Sequence, residues 1–351
     1  MKHGTPISIN SLIRKDLRDI EPYSSARDEY SGAAAVFLDA NENPYESDVN
    51  RYPDPYQRNL KSKLAEVKNL AIENLILGNG SDEIIDLLFR GFCNPHEDFA
   101  VTIAPSYGMY DVSAKINGVR LEKVLLNADF SLNFTNLHEQ VQGAKLVFLC
   151  SPNNPSGNSF SRTEIIELMK VFDGLVVVDE AYIDFSDEPS MTNLVNDFPR
   201  LFILQTLSKA WGLAGIRLGI GIGSSEIINF LNKIKPPYNV NGLSQAYALR
   251  ALENKEQVQK QIEVMKSERQ KLSDFLSNLS VVKEVFPSDA NFILIRIPNA
   301  DVWYEKLLNQ GIIVRNRSNQ VRCADTLRIT IGTPEENQEL VKVFNQLTQN
   351  Q

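Results

Sequence analysis

Short apolar runs alternate with segments of helical periodicity through the first two thirds of the chain. In most of these runs every position is apolar, which is typical of strands that are covered on both faces. Apolar strands separated by helices predict an α/β fold in which a mostly parallel sheet is wrapped by helices. The predicted strands are 36–38, 75–77, 99–103, 121–124, 146–150, 175–179 and 201–206, and the predicted helices are 57–68, 82–93 and 162–172.

The pattern changes after residue 243, where a charged stretch carries apolar residues at helical spacing as far as residue 279. This stretch predicts one long helix that leads into a second, small α+β domain. The predicted elements of that domain are strands 281–286, 292–297, 312–315 and 326–331, a helix over 301–310 and a final helix from residue 334.

The length of 351 residues exceeds what one hydrophobic core usually supports, so two domains that share one interface are expected. We predict an N-terminal arm, residues 1–35, that packs with the small domain. A large domain, residues 36–245, is expected to hold the candidate site, and the small C-terminal domain is residues 246–351.

The net charge of -8 argues against nucleic acid or an anionic membrane surface as the main partner. An anionic substrate would therefore need a local arginine cluster. The longest apolar runs, such as 175–178, are too short to cross a bilayer, and the N-terminus lacks a secretion-signal pattern. We expect a cytoplasmic protein.

Cysteines and histidines are few and scattered. The odd number of cysteines, without a closely spaced pair, argues against a disulfide framework or a zinc site. The scattered histidines likewise make a histidine-bound metal or a Ser-His-Asp triad improbable, so no metal is expected. The cysteines are Cys93, Cys150 and Cys323, and the histidines are His3, His96 and His138.

A glycine-rich segment between two apolar strands contains Ser208, Lys209 and Arg217. A partly desolvated lysine amine can hold pyridoxal phosphate as a Schiff base, while hydroxyl and guanidinium groups bind its dianionic phosphate. Taken alone, Lys209 would be an ordinary solvated lysine, since lysines are almost always exposed. The residues that follow the other predicted strands therefore decide whether Lys209 belongs to a cofactor site.

Polar residues follow several of the predicted strands. Gly80, Ser81 and Asp82 open a helix whose N-terminal amides could bind a phosphate, although a plain capping turn explains them equally well. Asn154 lies in a proline-fixed loop and could donate its amide to a phenolate oxygen of the cofactor, or could simply belong to a turn.

Asp179 ends an apolar strand where a carboxylate cannot ionise freely without a cationic partner. A protonated pyridine nitrogen would be such a partner. Three residues later, Tyr182 could be a second donor to the phenolate oxygen, and Tyr107 could stack on the ring.

A series of short motifs runs through nearly the whole chain. They are Pro22–Arg27, Leu38–Tyr45, Arg51–Pro55, Gly78–Glu83, Ser151–Gly157, Val178–Tyr182, Thr206–Gly219 and Leu327–Gly332. Together they resemble the pyridoxal-phosphate-dependent aminotransferases of fold type I, in the class II branch, and within it the histidinol-phosphate aminotransferases. The lysine and Asp-x-x-Tyr motifs specify only the superfamily, whereas the N-terminal motifs and the C-terminal arginines carry the narrower likeness.

The resemblance implies a role for each candidate cofactor residue. Lys209 would hold the cofactor and later shuttle a proton, Asp179 would hold the pyridinium, and Tyr182 would contact the phenolate oxygen with Asn154. Tyr107 would lie on the ring face. The residues implied around the cofactor phosphate are Gly80, Ser81, Asp82, Thr206, Ser208 and Arg217.

The resemblance also implies a homodimer with shared active sites, because Tyr52 would reach the phosphate of the neighbouring subunit's cofactor. Tyr23, Arg315 and Arg328 would bind the anionic end of the substrate, together with Asn154. Arg317 and Arg322 lie in the same segment as Arg315, so the sequence leaves open which of these three arginines meets the substrate.

The activity implied is reversible amino transfer from histidinol phosphate to 2-oxoglutarate, giving imidazole acetol phosphate and glutamate, in histidine biosynthesis. Two alternatives use the same core residues: an aromatic or broad-range aminotransferase, and a decarboxylase of a phosphorylated amino acid. A non-catalytic alternative is the cofactor-sensing domain of a transcription regulator, but the chain has no basic helix-turn-helix segment.

Overall fold

The computed structural model describes residues 8–22 and 36–349. Its large sheet has seven strands in the order β1-β7-β6-β5-β4-β2-β3, and β7 runs antiparallel to both of its neighbours while the other neighbouring pairs are parallel. The prediction of a mostly parallel sheet is confirmed. The strands are β1 Leu75–Asn79, β2 Phe99–Ala104, β3 Arg120–Leu125, β4 Leu146–Cys150, β5 Leu175–Asp179, β6 Leu201–Thr206 and β7 Leu218–Gly223.

Both faces of this sheet are buried. Along β4, Val147 and Leu149 pack into one hydrophobic cluster, and Leu146 and Phe148 pack into a second cluster on the opposite face. This double burial explains the continuous apolar runs in the sequence. The helices around the sheet are α1 Ile9–Leu12, α2 Arg58–Lys68, α3 Ser81–Phe92, α4 Met109–Ile116, α5 Phe134–Gln140, α6 Arg162–Val171, α7 Ser225–Ile234 and α8 Gly242–Leu252.

A second, antiparallel sheet of four strands has the order β10-β11-β9-β8. Its apolar face packs with the helices beside it around Leu327, Trp303 and Phe344, which confirms the predicted small α+β lobe. The elements are α9 Lys255–Ser277, β8 Glu284–Val285, β9 Phe292–Arg296, α10 Ala300–Asn309, β10 Arg315–Asn316, β11 Thr326–Thr330 and α11 Pro334–Gln349. The predicted domain boundaries stay a prediction.

Two predicted elements are wrong. Residues 36–38 form no strand, and the side chains of Val36 and Leu38 are exposed. The long helix is broken at Glu253 and Asn254, between α8 and α9. The physical reason is that α8 packs on α2 of the large domain while α9 packs on α11 of the small lobe, so one straight helix could not serve both.

Four helices, α1, α4, α5 and α7, were not predicted, because α1, α4 and α5 are short and α7 follows a glycine-rich strand. Within the described ranges, none of the helices is both long and apolar enough to cross a membrane.

Candidate active site

The loops after β1, β2, β4, β5 and β6 meet at one edge of the large sheet. These strands are parallel, so their carboxyl ends lie at the same edge, which is where open α/β sheets bind ligands. The cleft there is lined by every residue predicted to touch the cofactor except Tyr52. Its lining is Gly80, Ser81, Asp82, Tyr107, Cys150, Asn154, Asp179, Ala181, Tyr182, Thr206, Ser208, Lys209, Ala214 and Arg217.

One end of the cleft is formed by the start of α3, where two glycines allow a close approach of backbone. Gly80 has a φ of 79°, and a Cβ on it would lie 2.8 Å from Nη2 of Arg217. A Cβ on Gly219 would lie 2.2 Å from the backbone nitrogen of Ser81. The first amides of a helix have no partner within the helix, so this end can receive an anion.

Hydroxyl and guanidinium groups surround the same helix end. Thr206 Oγ1 lies 2.9 Å from Ser208 Oγ, and it accepts a hydrogen bond of 3.0 Å from the backbone amide of Ser208. Arg217 Nη2 lies 3.6 Å from Oδ2 of Asp82. A carboxylate would repel a phosphate, so Asp82 can serve such a ligand only through its backbone amide. This set of donors suits a phosphate group.

Asp179 lies at the end of β5 and is only 3% exposed. Its Oδ2 accepts a hydrogen bond of 2.7 Å from the hydroxyl of Tyr110, and its Oδ1 accepts one of 3.1 Å from the amide of Ala181. Burial raises the pKa of Asp179 to about 6, against the lowering effect of these two hydrogen bonds. A carboxylate in this position favours a cationic ligand atom.

Tyr110 contacts the site through Asp179 and was not predicted from the sequence. It is fully buried, stacks on Phe148 at 4.9 Å, and lies edge-on to Tyr107 at 5.6 Å. Tyr107 precedes α4, so helical spacing from Tyr107 could not assign Tyr110 to the site, and only the packing of α4 brings Tyr110 to Asp179.

Tyr107 and Tyr182 both keep their hydroxyl protons. The Tyr107 hydroxyl donates a hydrogen bond of 3.0 Å to Oδ1 of Asp82, and burial followed by the charge of Asp82 raises the pKa of Tyr107. Tyr182 is 7% exposed and lies edge-on to Phe292 at 5.2 Å, and burial raises its pKa as well. Tyr107 uses its one proton on Asp82, whereas the hydroxyl of Tyr182 can donate a hydrogen bond in the cleft.

Lys209 follows β6, and its side chain keeps contact with the solvent of the open cleft. Its Nζ lies 5.5 Å from the ring centroid of Tyr182. Partial burial, and then repulsion from Arg328, lowers the pKa of Lys209, while Asp179 opposes this shift. A lower pKa raises the fraction of the neutral amine, which is the nucleophilic form.

Asn154 links the edge of the large sheet to the small lobe. Its Oδ1 accepts a hydrogen bond of 2.5 Å from Nη1 of Arg328, whose guanidinium lies 5.1 Å from the ring centroid of Phe292. The neighbouring Asn153 is fully buried and holds the loop, because Ser106 Oγ donates to its Oδ1 at 3.0 Å. Asn154 is thus held by the hydrogen bond to its oxygen and by the buried residue that precedes it in the loop.

Other predicted residues lie elsewhere. Tyr52 is exposed and stacks on Tyr238 at 4.6 Å, in a separate surface depression. Arg315 is exposed and pairs with Arg328 in the β10–β11 register. Tyr23 lies outside the described residues.

The remaining cleft residue with a reactive atom is Cys150, which is buried. Burial raises its pKa well above the ordinary value, so it stays an unreactive thiol. Within residues 8–22 and 36–349, the structure contains no group of three or more histidine, cysteine, aspartate or glutamate side chains that could hold a metal ion.

Comparison with known proteins identifies relatives along almost the whole chain. The model of the family "Aminotransferase class I and II" matches residues 29–344. A histidinol-phosphate aminotransferase from Christiangramia forsetii is 51% identical over 343 residues, which are 97% of this chain and 98% of that protein.

Solved structures share the fold. The crystal structure of the histidinol-phosphate aminotransferase from Clostridium acetobutylicum matches with a TM-score of 0.81 at 25% identity, over 87% of this chain and 92% of that chain. The histidinol-phosphate aminotransferase from Sinorhizobium meliloti, in complex with pyridoxal-5'-phosphate, matches with a TM-score of 0.78 at 22% identity, over 86% and 84% of the two chains. The chain belongs to the class I and II aminotransferases and, within them, to the histidinol-phosphate aminotransferase family.

Proposed function

We propose that this protein is a pyridoxal-phosphate-dependent histidinol-phosphate aminotransferase. It would transfer the amino group of histidinol phosphate reversibly to 2-oxoglutarate, giving imidazole acetol phosphate and glutamate, in histidine biosynthesis. The observation that carries the substrate assignment is the 51% identity, over nearly the full length of both chains, to a relative of that name. The aromatic, decarboxylase and regulator alternatives have no comparable support.

The geometry of the cleft is suited to pyridoxal phosphate. The backbone cradle at Gly80 and Gly219, the start of α3 and the hydroxyls of Thr206 and Ser208 would hold the phosphate. When bound, the cofactor supplies an electron-withdrawing ring that stabilises negative charge on the substrate. Asp179, at the buried end of β5, would face the ring nitrogen.

Asp179 and Lys209 would be the two residues that act directly on the cofactor and the substrate. A cation next to Asp179 lowers the pKa of that carboxyl from about 6, so that Asp179 is ionised at neutral pH and keeps its partner protonated. The amine of Lys209, whose pKa is lowered, can act as nucleophile and then carry a proton to and from the substrate.

Two hydrogen-bond donors would orient the ring. The Tyr182 hydroxyl stays protonated, and Asn154 uses its oxygen for Arg328, which leaves its NH2 group to donate. Both would point to the phenolate oxygen of the cofactor.

We also propose a homodimer in the cytoplasm. The depression that contains Tyr52 exposes apolar side chains, with Val49 at 58%, Tyr52 at 52% and Leu243 at 68%. Contiguous exposed apolar residues favour a protein interface, and a second copy there would allow Tyr52 to reach the partner's cofactor. The cysteines are buried and free, which fits a reducing compartment.

A half-reaction tests the activity. The holoprotein is mixed with histidinol phosphate alone, and in parallel with phenylalanine or tyrosine, while the absorbance of the lysine-bound cofactor is followed. We expect loss of that absorbance and appearance of the amine form of the cofactor with micromolar histidinol phosphate only. Equal or faster conversion by the aromatic amino acids would reject the substrate assignment, and release of CO2 without a need for an oxo acid would reject transamination.

A further inference from the structure

Three arginines lie on one face of the β10–β11 pair. Arg315 is the direct partner of Arg328, and Asn316 is the partner of Leu327. Side chains of directly opposed residues share a face, and successive residues alternate between faces. Leu327 packs into the core of the small lobe, so Arg315 and Arg328 lie on the other face. The amide of Arg317 donates a 2.9 Å hydrogen bond to the carbonyl of Thr326, which extends this register and places Arg317 on the same face as Arg315.

Arg317 differs from the two other arginines whose role the sequence left open. Arg315 and Arg322 are exposed, whereas Arg317 is half-buried. The Nε atoms of Arg317 and Arg328 are both buried and lack a hydrogen-bond partner. A buried donor without a partner is costly, so each of these atoms points to a missing acceptor.

The charge of this pair is not balanced by protein carboxylates. In the part of the chain that the structure describes, neither Arg317 nor Arg328 forms an ion pair. Burial, followed by repulsion from Arg328 and Arg315, lowers the pKa of Arg317 to about 10. An anion between the guanidinium groups would relieve both the repulsion and the missing acceptor.

The Arg328 guanidinium lies beside the cleft, and Arg317 is on the same face of the β10–β11 pair. Arg328 binds Asn154, which lines it. The positive charges of Arg328 and Arg317 both act on Tyr182, another lining residue, in the direction that lowers its pKa. Arg317 therefore belongs to the cleft side of the hairpin.

We propose that Arg317 is a substrate-specificity residue that binds, together with Arg328, the phosphate ester of the amino substrate. This inference rests on the proposed function. A phosphate dianion is matched by two guanidinium groups, each of which can offer two parallel N–H donors. Among the three arginines left open, Arg317 is the one whose Nε donor is buried and has no acceptor among the residues that the structure describes.

The test compares an amine with and without the phosphate. For holoprotein carrying Arg317→Gln, we expect the dissociation constant of histidinol phosphate in the half-reaction to rise about 10- to 100-fold. The dissociation constant of unphosphorylated histidinol should change less than about threefold, because histidinol has no phosphate for this arginine to bind. Equal changes for both amines, or none for either, would overturn the proposal.

Two further variants separate binding from a structural role. Arg322→Gln removes the same charge from an exposed position of the same segment and should behave as the unmodified protein. Arg317→Lys keeps the charge but loses the forked geometry, so it should restore part of the discrimination between the two amines. The assignment would be rejected if Arg317→Lys and Arg322→Gln lost the preference for histidinol phosphate over histidinol to the same extent. That result would show that the net charge of the segment, and not the position of Arg317, determines the preference.

A binding measurement without turnover completes the test. Calorimetric titration of the holoprotein with n-propyl phosphate should show binding that weakens at least about tenfold in Arg317→Gln. Undiminished binding would reject Arg317 as the phosphate ligand. Failure of the unmodified holoprotein to convert histidinol phosphate would instead reject the proposed function, so the two failures are distinguishable.

Discussion

The hydroxyl of Tyr110 donates a hydrogen bond of 2.7 Å to the buried carboxylate of Asp179. Tyr110 comes from α4 and Asp179 from the end of β5, so two separate segments build this buried acid. The hydrogen bond favours the ionised carboxylate, whereas burial favours the neutral acid. The balance between them decides how firmly Asp179 can hold a cation.

Replacing Tyr110 by Phe should therefore raise the pKa of Asp179, because the ionised carboxylate loses a hydrogen bond that stabilises it. We expect kcat to fall about tenfold, since one charge-assisted hydrogen bond is worth roughly 1.5–3 kcal/mol and part of it is recovered by the cationic partner. The acid limb of the kcat–pH profile should move to higher pH. Tyr304→Phe, a partly buried tyrosine of the small lobe, is the control, and an acid limb that does not move would count against this role.

The stability of the cofactor-free protein should depend on the ionisation of Asp179. Its pKa is about 6 when folded against the ordinary 3.8, so the folded state binds the proton more tightly. The free energy of unfolding therefore falls as pH rises from about 4 to 6, by up to about 3 kcal/mol. Asp179→Asn cannot ionise and should lack this part of the pH dependence.

Urea unfolding of both cofactor-free proteins at pH 4.5 and pH 7 measures the effect. The free energy of unfolding of the unmodified protein minus that of Asp179→Asn should be larger at pH 4.5 than at pH 7. A difference that is constant with pH would show that Asp179 is not shifted by burial. With cofactor, the same variant should lose nearly all turnover.

Lys209→Ala should abolish the absorbance of the lysine-bound cofactor and nearly all turnover, because no other amine of the described cleft lining can replace it. Lys283→Ala, an exposed lysine of the small lobe, should leave both unchanged. A Lys209→Ala protein that keeps its absorbance would show that another lysine holds the cofactor.

Gly219→Ala should disturb the phosphate end of the cleft. The new Cβ would lie 2.2 Å from the amide nitrogen of Ser81, so β7 and the start of α3 must move apart. We expect a loss of roughly 1–3 kcal/mol in the free energy of unfolding and weaker binding of the cofactor. Gly108→Ala is the control, since its Cβ would meet nothing within 4 Å, and equal thermal stability of the two variants would contradict the expectation.

Leu243→Asp should break the proposed homodimer. The side chain is 68% exposed in the depression that contains Tyr52, and a charge there would have to be desolvated on association. Sedimentation velocity should show a dimer for the unmodified protein and a monomer of low activity for the variant. Ile116→Asp places a charge on a similarly exposed apolar residue of α4 and should stay dimeric.

Much of the fold could be predicted because a continuous run of apolar residues indicates a strand that is buried on both faces. The apolar runs that became β4, β5 and β6 are covered on both faces, and their boundaries match the prediction. Polar residues after such strands, including Asp179 and Lys209, can be assigned to one edge because parallel strands end together. The sequence alone therefore indicated the sheet, its polar edge and the cofactor chemistry.

Other features depend on contacts between distant segments, which local periodicity does not contain. Packing of α8 and α9 against different domains decided the break near Asn254. Residues 36–38 have an apolar run but form no strand. Burial of Tyr110 against Phe148 decided its partnership with Asp179, and the β10–β11 register distinguished Arg317 from Arg315 and Arg322. The sequence determined which chemical groups are available, and only tertiary packing decided which of them lie together, because burial and distance arise from residues far apart in the chain.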